Sequence, residues 1–582
     1  MTGAEATSGP SAATDAGTTP AAAAADFDAL VGRVWAWMVA SSPELGVYVG
    51  EVGEPGWTDY SPDACGERRE VRRRLLDEVR AFPVDGLDHQ RRVTHQVTEG
   101  YLAAEVGIDA FPHEAFLVDQ TNGVHLGLTQ TLDYLRLDSA DDAAGYVERL
   151  RRVPALLDQV VDLLRRPEHR AARPPQVVLA DVPRQVEALR PPDGPLVRRL
   201  AEAVAAGRAP GEQLDAAVDA VRDAVNPALD RFARFVADEL LPEARDTVGL
   251  GALPDGDAWY AAAITHQTSV SPTPQEVHDL GLAEVARIWA AMEELAGGDV
   301  AALRRRLDED PATWFATPED QLAAYRAFCK EVDARLWQVV TDVPRMPYGV
   351  EAMPDYMAVS APTAYYIPGA SGARRPGTFI VNGHDLGSRP SWRMVPLALH
   401  EAVPGHHLQH AVADELGDLP PIRRHLGWNA YVEGWGLYAE HLGEELGLYR
   451  SDADRYGRLS FDMWRAARLV VDTGIHAFGW DRDRAIAYVE ETTGLGHHDV
   501  VSEVDRYISW PGQALGYKLG EQVILRLRAE AEAALGPAFR PQPFHDVVLG
   551  SGPVPLPVLE AEVRRWLATA TAPASPAPTP AA

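Results

Sequence analysis

Apolar side chains recur at helical spacing along most of this chain, and this periodicity restricts the fold class more than any other feature. Hydrophobic residues stand at i, i+3, i+4 and i+7 in segments rich in Ala, Leu, Arg and Glu, as in helices that bury one face. We predict helices over residues 27–40, 64–81, 89–108, 141–164, 195–206, 211–241, 273–296, 318–339 and 502–534. The sequence therefore predicts a mainly α fold.

Strand-like sequence is confined to a short stretch before a histidine-rich segment. Residues 363–367 (TAYYI) and 377–382 (GTFIVN) flank a turn rich in Gly, Arg and Pro. Two β-prone runs joined by turn residues are typical of a hairpin. We therefore expect a small β ribbon at this point.

The chain divides into two helical regions between two tails. Residues 1–25 and 568–582 are rich in Ala, Thr, Gly, Ser and Pro, with little that could pack, so both are predicted to be disordered. Residues 26–350 form an N-terminal helical region, and residues 351–567 form a second region with the β ribbon and the histidines. With no convincing linker between them, we expect one continuous fold.

Composition excludes several classes of function. The formal net charge of −31 would repel a phosphate backbone, so no nucleic-acid partner is expected. Cys65 and Cys329 stand in no C-x-x-C pattern, which fits a reducing compartment. Because the N-terminus lacks the features of a signal peptide and no run of about 20 apolar residues is present, we expect a cytoplasmic protein with no membrane partner.

The segment LALHEAVPGHHLQH, residues 397–410, carries the clearest chemical signal. A His followed directly by Glu, with further His nearby on a helix, is typical of a catalytic zinc site. His400 would be one ligand, and Glu401 would act as the general base. The usual spacing places the second His four residues after the first, but Pro404 occupies that position.

Geometry requires the helix to break between the two ligands. In a straight helix His407 would lie about 10 Å along the axis from His400, too far for both to bind one Zn²⁺ at about 2.0–2.1 Å. His406 would lie on another face. Pro404 disrupts helical hydrogen bonding and Gly405 permits unusual backbone angles. We therefore predict a bulge that brings His406, or alternatively His407, to the metal, and we favour His406.

A third ligand is expected on the next helix, residues 428–446. Glu433 lies in an apolar setting close to Gly434 and Gly436, which would allow the helix to approach a metal closely. Glu440, two turns further on the same face, could orient a ligand from the second coordination shell or serve as an alternative ligand.

Four sequence blocks also resemble a known family. They are HEAVPGHHLQ, EGWGLYAEHLG, RLVVDTGIHAFGW and RYISWPGQALGYKLG, with weaker likeness in QTNGVHLGL and RPGTFIVN. Together they are similar to the domain-of-unknown-function-885 family over nearly the whole chain between the tails.

That family is similar to helical zinc peptidases of the thimet oligopeptidase and angiotensin-converting enzyme type. The resemblance implies a modified H-E-x-x-H helix, a downstream Glu ligand and a deep cleft with a small β ribbon near the active site. Dipeptidyl peptidase three also tolerates an enlarged spacing and has Gly directly before its second His. Gly405 and His406 match that feature.

The matched blocks supply further candidates. Asp472 and His476 share a helix face; the pair could orient a ligand or bind substrate, with Asp472 an alternative metal or second-shell residue and His476 a catalytic one. Tyr517, in preference to Tyr507, could donate a hydrogen bond to an oxyanion. Candidate substrate-binding residues are Tyr366, Arg375, Tyr507, Gln513 and Lys518, with weaker support for Asn122 and His125.

These residues lead to one functional hypothesis. We expect a hydrolase of amide bonds with one Zn²⁺ per chain, held by His400, His406 and Glu433, with manganese and cobalt as alternative ions. Glu401 would act as base, and Tyr517 and His476 would stabilise the oxyanion. A short peptide is the expected substrate. The alternatives are hydrolysis of small non-peptide amides and a non-catalytic metal-binding protein.

Overall fold

Helices make up most of the described chain before residue 340. The computed structural model describes residues 20–354, 358, 363–372 and 374–571. The first helices are α1 (Pro20–Ser41), α2 (Pro43–Val49), α3 (Pro62–Ala81), α4 (His89–Ile108), α5 (Val124–Tyr134), α6 (Ala140–Leu164), α7 (Pro167–Arg170) and α8 (Gln176–Leu179). They are followed by α9 (Val182–Ala188), α10 (Pro195–Ala205), α11 (Gly211–Ala220), α12 (Asn226–Phe235), α13 (Gly256–Thr268), α14 (Pro274–Ala296), α15 (Val300–Glu309) and α16 (Pro318–Asp333).

Local sequence explains where several of these helices begin. The Ser61 side chain accepts a hydrogen bond from the Ala64 amide, and Pro62 occupies the first turn of α3. Thr273 and Glu276 form a reciprocal capping box at the start of α14. Such caps satisfy amide groups that have no partner within the helix, and Pro fits the first turn because its missing N–H is not needed there.

The remaining helices carry the histidine-rich segment and the C-terminal part of the chain. They are α17 (Met394–Glu401), α18 (His406–Glu415), α19 (Pro421–His425), α20 (Asn429–Glu445), α21 (Asp452–His476), α22 (Arg482–Thr493), α23 (His497–Ser509), α24 (Leu515–Leu535), α25 (Pro541–Gly550) and α26 (Leu556–Ala570). The mainly α fold class is thereby confirmed.

Some predicted helix boundaries are wrong. The predicted helix over 502–534 is two helices, α23 and α24, separated at Trp510–Ala514, where Pro511 and Gly512 interrupt the pattern. The predicted helix over 211–241 has π-helical turns at Val221–Val225 and Val236–Leu240. The one over 318–339 ends at Asp333.

Both predicted disordered tails overlap helices. Helix α1 begins at Pro20, inside the predicted tail 1–25, and α26 ends at Ala570, inside the predicted tail 568–582. The runs of Ala that suggested disorder are also good helix formers, and adjoining apolar residues anchor each helix. The rest of both tails lies outside the described residues, apart from Thr571.

The β ribbon is part of a three-stranded sheet. Strands β1 (Tyr348–Ala352), β2 (Ala364–Ile367) and β3 (Gly377–Val381) are arranged in the order β1-β3-β2. The antiparallel β2–β3 pair confirms the predicted hairpin, with Tyr366 opposite Phe379. Strand β1, which the sequence pattern did not indicate, runs parallel to β3.

The two predicted regions share their hydrophobic core. The first core cluster combines Phe27 and Val97 from the N-terminal region with Trp435 and Leu559 from the C-terminal one. Cys65 and Cys329 are both buried and unpaired. In the described part of the chain, no helix combines the length and apolar character needed to cross a membrane.

Helices α20 and α24 approach so closely that glycine is required between them. A Cβ atom added at Gly520 would overlap the carbonyl oxygen of Ala430 and lie 2.8 Å from Cα of Gly434. Both clashes involve backbone atoms, so a side chain there would push the helices apart. Since α20 carries Glu433 and α24 carries Tyr517, this contact determines how far apart these two side chains lie.

We predict that Gly520→Ala destabilises the protein by about 1–3 kcal/mol or more, the range expected when a packed contact is overfilled. Gly66→Ala is the matched control, because an exposed helical position with nothing within 4 Å of the added Cβ should gain about 0.5–1 kcal/mol. Chemical denaturation of the two variants measures the difference. Equal stabilities would contradict the close α20–α24 contact.

Candidate metal centre

The helix break predicted at Pro404 and Gly405 is present. Helix α17 ends at Glu401 and α18 begins at His406. A Cβ atom at Gly405 would overlap the carbonyl oxygen of His400, so only glycine allows the chain to fold back this tightly. The Trp435 indole Nε1 donates a hydrogen bond of 2.9 Å to the Pro404 carbonyl. The break is therefore anchored to α20.

Three side chains meet beside the break. The ligand atoms of His400, His406 and Glu433 all lie within 4.8 Å of one another. Glu433 Oε2 is 3.4 Å from His400 Nε2 and 3.5 Å from His406 Nε2. In a tetrahedral zinc site with bonds of about 2.0–2.1 Å, neighbouring ligand atoms are about 3.3–3.4 Å apart. Both measured distances are close to this spacing.

One oxygen of this cluster has no hydrogen-bond partner among the described residues. Glu433 Oε2 is buried and accepts no hydrogen bond among the described residues. An unsatisfied buried carboxylate oxygen is unfavourable, and two imidazole nitrogens with one carboxylate form a donor set that zinc commonly takes. The residues present therefore fit a zinc ion.

Glu440 fixes the orientation of the His400 ring. Its Oε1 is 2.9 Å from His400 Nδ1, so the Nδ1 proton is donated to the carboxylate and the Nε2 lone pair faces Glu433. The Arg465 guanidinium lies 3.4 Å from the same oxygen. A carboxylate in this position would hold a ligating His in one tautomer, and the second-shell role of Glu440 stays a prediction.

Electrostatics favour a cation at this point. Burial alone would lower the pKa of His400, but the carboxylates of Glu433 and Glu440 raise it to about 9. Burial also tends to raise the pKa of Glu433, yet His400 and His406 hold it well below its usual value. Without a metal, a proton on His400 would supply the positive charge that the two carboxylates require.

Gly436 makes room for both imidazoles. A Cβ atom at this position would lie 2.8 Å from His400 Cε1 and 3.0 Å from His406 Cε1. The prediction that glycines near Glu433 permit close approach is thus correct for Gly436. Gly434 instead packs against the backbone of Gly520.

His407, the alternative second ligand, turns away from the cluster toward the sheet. Its Nδ1 is 2.9 Å from the Tyr366 hydroxyl, and its ring packs on Tyr348 at 4.3 Å between centroids. Burial lowers its pKa to about 4, so it is neutral at physiological pH. Of the two histidines, the structure brings His406 to the cluster and uses His407 to attach α18 to the sheet.

Glu401 and Tyr517 lie on the partly exposed side of the cluster. The Glu401 residue is partly exposed. Burial of its carboxyl raises the pKa of that group, an effect that His400 and His406 oppose. The Tyr517 ring stacks on His400 with centroids 6.2 Å apart. No described residue hydrogen-bonds to its hydroxyl, whose pKa is raised to about 12 by burial and by Glu433. Both side chains are placed where a substrate could meet them.

His476 and Asp472 do not reach the cluster, contrary to their predicted roles. The His476 Nδ1 accepts from the Leu250 amide at 3.2 Å, and Nε2 donates to the Tyr507 carbonyl at 2.9 Å. Asp472 accepts from the Tyr260 hydroxyl at 2.6 Å and from the Gly512 amide at 3.1 Å. Both are buried and join α21 to neighbouring segments, so neither is free to contact substrate.

Three predicted substrate-binding residues on or near α24 are also engaged elsewhere. The Tyr507 hydroxyl donates to Glu503 at 2.8 Å, and the Gln513 amide donates to Asn429 at 3.2 Å. Lys518 is 0% exposed and forms ion pairs with Asp462 and Glu521. Two of the four partners, Asn429 and Asp462, come from other helices, and the sequence pattern did not indicate these two pairings.

The candidate substrate-binding residues on the β ribbon, Tyr366 and Arg375, also make contacts within the protein. Tyr366 donates its hydroxyl toward His407, and Arg375 donates to the carbonyls of Tyr48 at 3.0 Å and Tyr134 at 3.3 Å. Arg375 thus docks the β2–β3 turn on the N-terminal helices. Of the weaker candidates, His125 is buried, and its Nε2 lies 3.0 Å from Gln185 Oε1. The backbone N–H of Asn122 donates to Asp119 at 2.7 Å, and Asn122 itself is exposed.

Two arginines near the cluster were missed from sequence. Arg465 pairs with Glu440, and the Arg468 guanidinium carbon lies 4.4 Å from the Tyr517 ring centroid. They are three residues apart on α21, so they share a face. Both arginines stand among apolar residues of α21. This was the available signal, because a buried arginine is almost always paired.

The fold and the cluster define a mainly helical protein with a His-His-Glu cluster whose spacing could hold a metal ion. The chain belongs to the family described as bacterial protein of unknown function (DUF885), whose model matches residues 43–563. The family predicted from the four sequence blocks is therefore confirmed.

Two solved structures share this fold. One is described as the "putative lipoprotein" from Colwellia psychrerythraea, with 28% sequence identity and a TM-score of 0.86, covering 95% of this chain and all of its own. The other, described as a "putative lipoprotein of unknown function" from Shewanella oneidensis, has 16% identity and a TM-score of 0.71, covering 92% of this chain and 99% of its own. No curated protein matches the chain.

We predict that Gly436→Ala weakens zinc binding by about 10–100-fold, the range expected when the support of a metal ligand is disturbed. The added methyl group would displace the His400 and His406 rings. Gly127→Ala, where nothing lies within 4 Å of the new Cβ, is the control and should bind zinc as the wild type does. Competition with a chromogenic chelator measures both affinities, and unchanged binding in Gly436→Ala would contradict this geometry.

Proposed function

We propose that this protein is a zinc-dependent hydrolase of amide bonds that acts on short peptides. The observation that carries the proposal is the spacing of the cluster. Glu433 Oε2 lies at distances close to a tetrahedral edge from both His400 Nε2 and His406 Nε2. Glu401 follows the first ligand directly. A zinc ion held there would polarise a carbonyl group and activate water. The family's similarity to helical zinc peptidases, inferred from the sequence blocks, points the same way.

Glu401 is the proposed general base. A structural zinc site has no need of a carboxylate beside its ligand, whereas hydrolysis requires a group that takes a proton from water and delivers it to the leaving amine. Burial raises the pKa of this carboxyl above that of an exposed glutamate. The raised pKa makes the carboxylate a stronger base toward water and brings it closer to the range in which one group can both accept and return a proton.

Tyr517 is the proposed oxyanion donor. Its hydroxyl is unpaired among the described residues, and its ring is held nearly parallel to His400 at an interplanar angle of 17°. The raised pKa keeps the hydroxyl protonated. A fixed O–H donor aimed at the developing negative charge of a tetrahedral intermediate lowers the barrier because little reorganisation is needed. His476 is not part of this proposal, since backbone groups occupy both ring nitrogens.

Hydrolysis of small non-peptide amides is the second candidate. It is favoured by one observation: Tyr366 and Arg375, the side chains expected to hold an extended peptide, already bond to His407 and to the N-terminal helices. A panel of dipeptides, tripeptides and acylated small amines separates the two activities. A non-catalytic metal-binding role is disfavoured by the presence of Glu401.

We propose that the protein has no nucleic-acid partner. The net charge of −31 supports the absence of a nucleic-acid partner. A cytoplasmic location is disfavoured by the similar structure from Colwellia psychrerythraea, because that protein is described as a "putative lipoprotein". We therefore propose attachment to a membrane surface outside the cytoplasm as the alternative, and cell fractionation with an antibody distinguishes the two.

We predict that Glu401→Gln lowers kcat by about 10²–10⁴-fold, the usual contribution of a general base, while zinc content stays unchanged. Glutamine keeps the shape of the side chain but cannot accept the proton. The matched control is Glu444→Gln on α20, whose side chain is 39% exposed and should retain full activity. Wild-type turnover by the Glu401 variant would rule out this mechanism.

A further inference from the structure

The Arg468 guanidinium packs against the Tyr517 ring. Its central carbon lies 4.4 Å from the Tyr517 ring centroid, and the residue is 4% exposed. Arg468 Nε donates to the Tyr507 hydroxyl at 3.1 Å, and one terminal nitrogen donates to Glu503 at 3.0 Å. The other terminal nitrogen is buried and finds no acceptor among the described residues.

Three arginines near Tyr517 pair with only two carboxylates among the described residues. Arg506 donates to Glu503 at 2.8 Å, so Arg468 and Arg506 share a single carboxylate. Arg465 has only Glu440 nearby among the described ion pairs, at 3.4 Å, and Glu440 is also the partner of His400. Among the described ion pairs, Arg468 therefore has no carboxylate that pairs with it alone.

An arginine with a purely structural role elsewhere in this chain is paired differently. Arg482 uses two nitrogens on both oxygens of Asp505, at 2.6 and 2.9 Å, which is the bidentate pairing that guanidinium groups favour. Arg468 has no carboxylate of its own and keeps one pair of N–H donors unused. Such a group fits an acceptor that arrives with the ligand.

We propose that Arg468 binds a free carboxylate of the substrate, so that the preferred substrates are short peptides whose terminal carboxylate lies close to the scissile bond. The inference rests on the proposed function, because it assigns a substrate class to the same site. The Tyr517 ring contacts both His400 and Arg468, so it links the candidate zinc site to this arginine. A carboxylate placed beside this ring would reach the unused nitrogen while the neighbouring amide carbonyl lies near the Tyr517 hydroxyl.

The first test uses the wild-type protein loaded with zinc. A defined set of dipeptides and tripeptides is supplied in two forms, one with a free C-terminal carboxylate and one with a C-terminal carboxamide. We expect kcat/KM to be about 10–100-fold higher for the free acids, the discrimination that a hydrogen bond to a charged group provides. Equal cleavage of both forms would overturn the carboxylate inference and leave the proposed hydrolase intact. Cleavage of neither form by zinc-loaded protein would instead contradict the proposed function.

The second test assigns the preference to Arg468. We expect Arg468→Met to lower kcat/KM for the acids at least about 10-fold more than for the carboxamides, and Arg468→Lys to retain part of the preference. Arg455→Met, the same substitution at a position on α21 that is 42% exposed in its side chain, should preserve the preference. Equal loss for acids and carboxamides in a folded, zinc-binding Arg468→Met variant would show a structural role and contradict the inference.

Discussion

The interruption of one helix between His400 and His406 is the constraint on which the candidate site depends. A continuous helix would carry the two imidazoles to different faces, but the break places their nitrogens 3.4 and 3.5 Å from one carboxylate oxygen. The hydrogen bond from Trp435 to the Pro404 carbonyl fixes the break against the helix that carries this carboxylate. Gly436, on the same helix, leaves the space that the two rings occupy.

The residues around this cluster pair with its charged groups and hold them in place. Glu440 orients His400 and is itself paired with Arg465, while Arg468 supports the Tyr517 ring. Helix α21 therefore supplies the cations behind the site, and helix α20 supplies the anions. Buried charges of this kind are tolerated because each is paired or hydrogen-bonded. Among the described residues, Glu433 Oε2, Glu440 Oε2, Arg465 Nε and one terminal nitrogen of Arg468 have no hydrogen-bond partner.

Sequence reasoning predicted the parts of the fold that depend on local pattern. Helix periodicity located α4 to the residue, and the chemistry of Pro404 and Gly405 predicted the break because both act on the backbone where they stand. The same reasoning failed for Asp472, His476 and Lys518. Their roles depend on partners distant in sequence, such as Tyr260, Leu250 and Asp462. Strand β1 was missed since its pairing with β3 is likewise non-local.

Zinc binding by paired histidine variants tests the central claim most directly. The wild-type protein, stripped of metal and titrated with zinc, is expected to bind one ion per chain. His406→Ala should abolish tight binding because it removes a ligand, whereas His407→Ala should still bind one ion, since His407 points toward Tyr366 and the sheet. Retention of tight binding in His406→Ala together with its loss in His407→Ala would contradict the account.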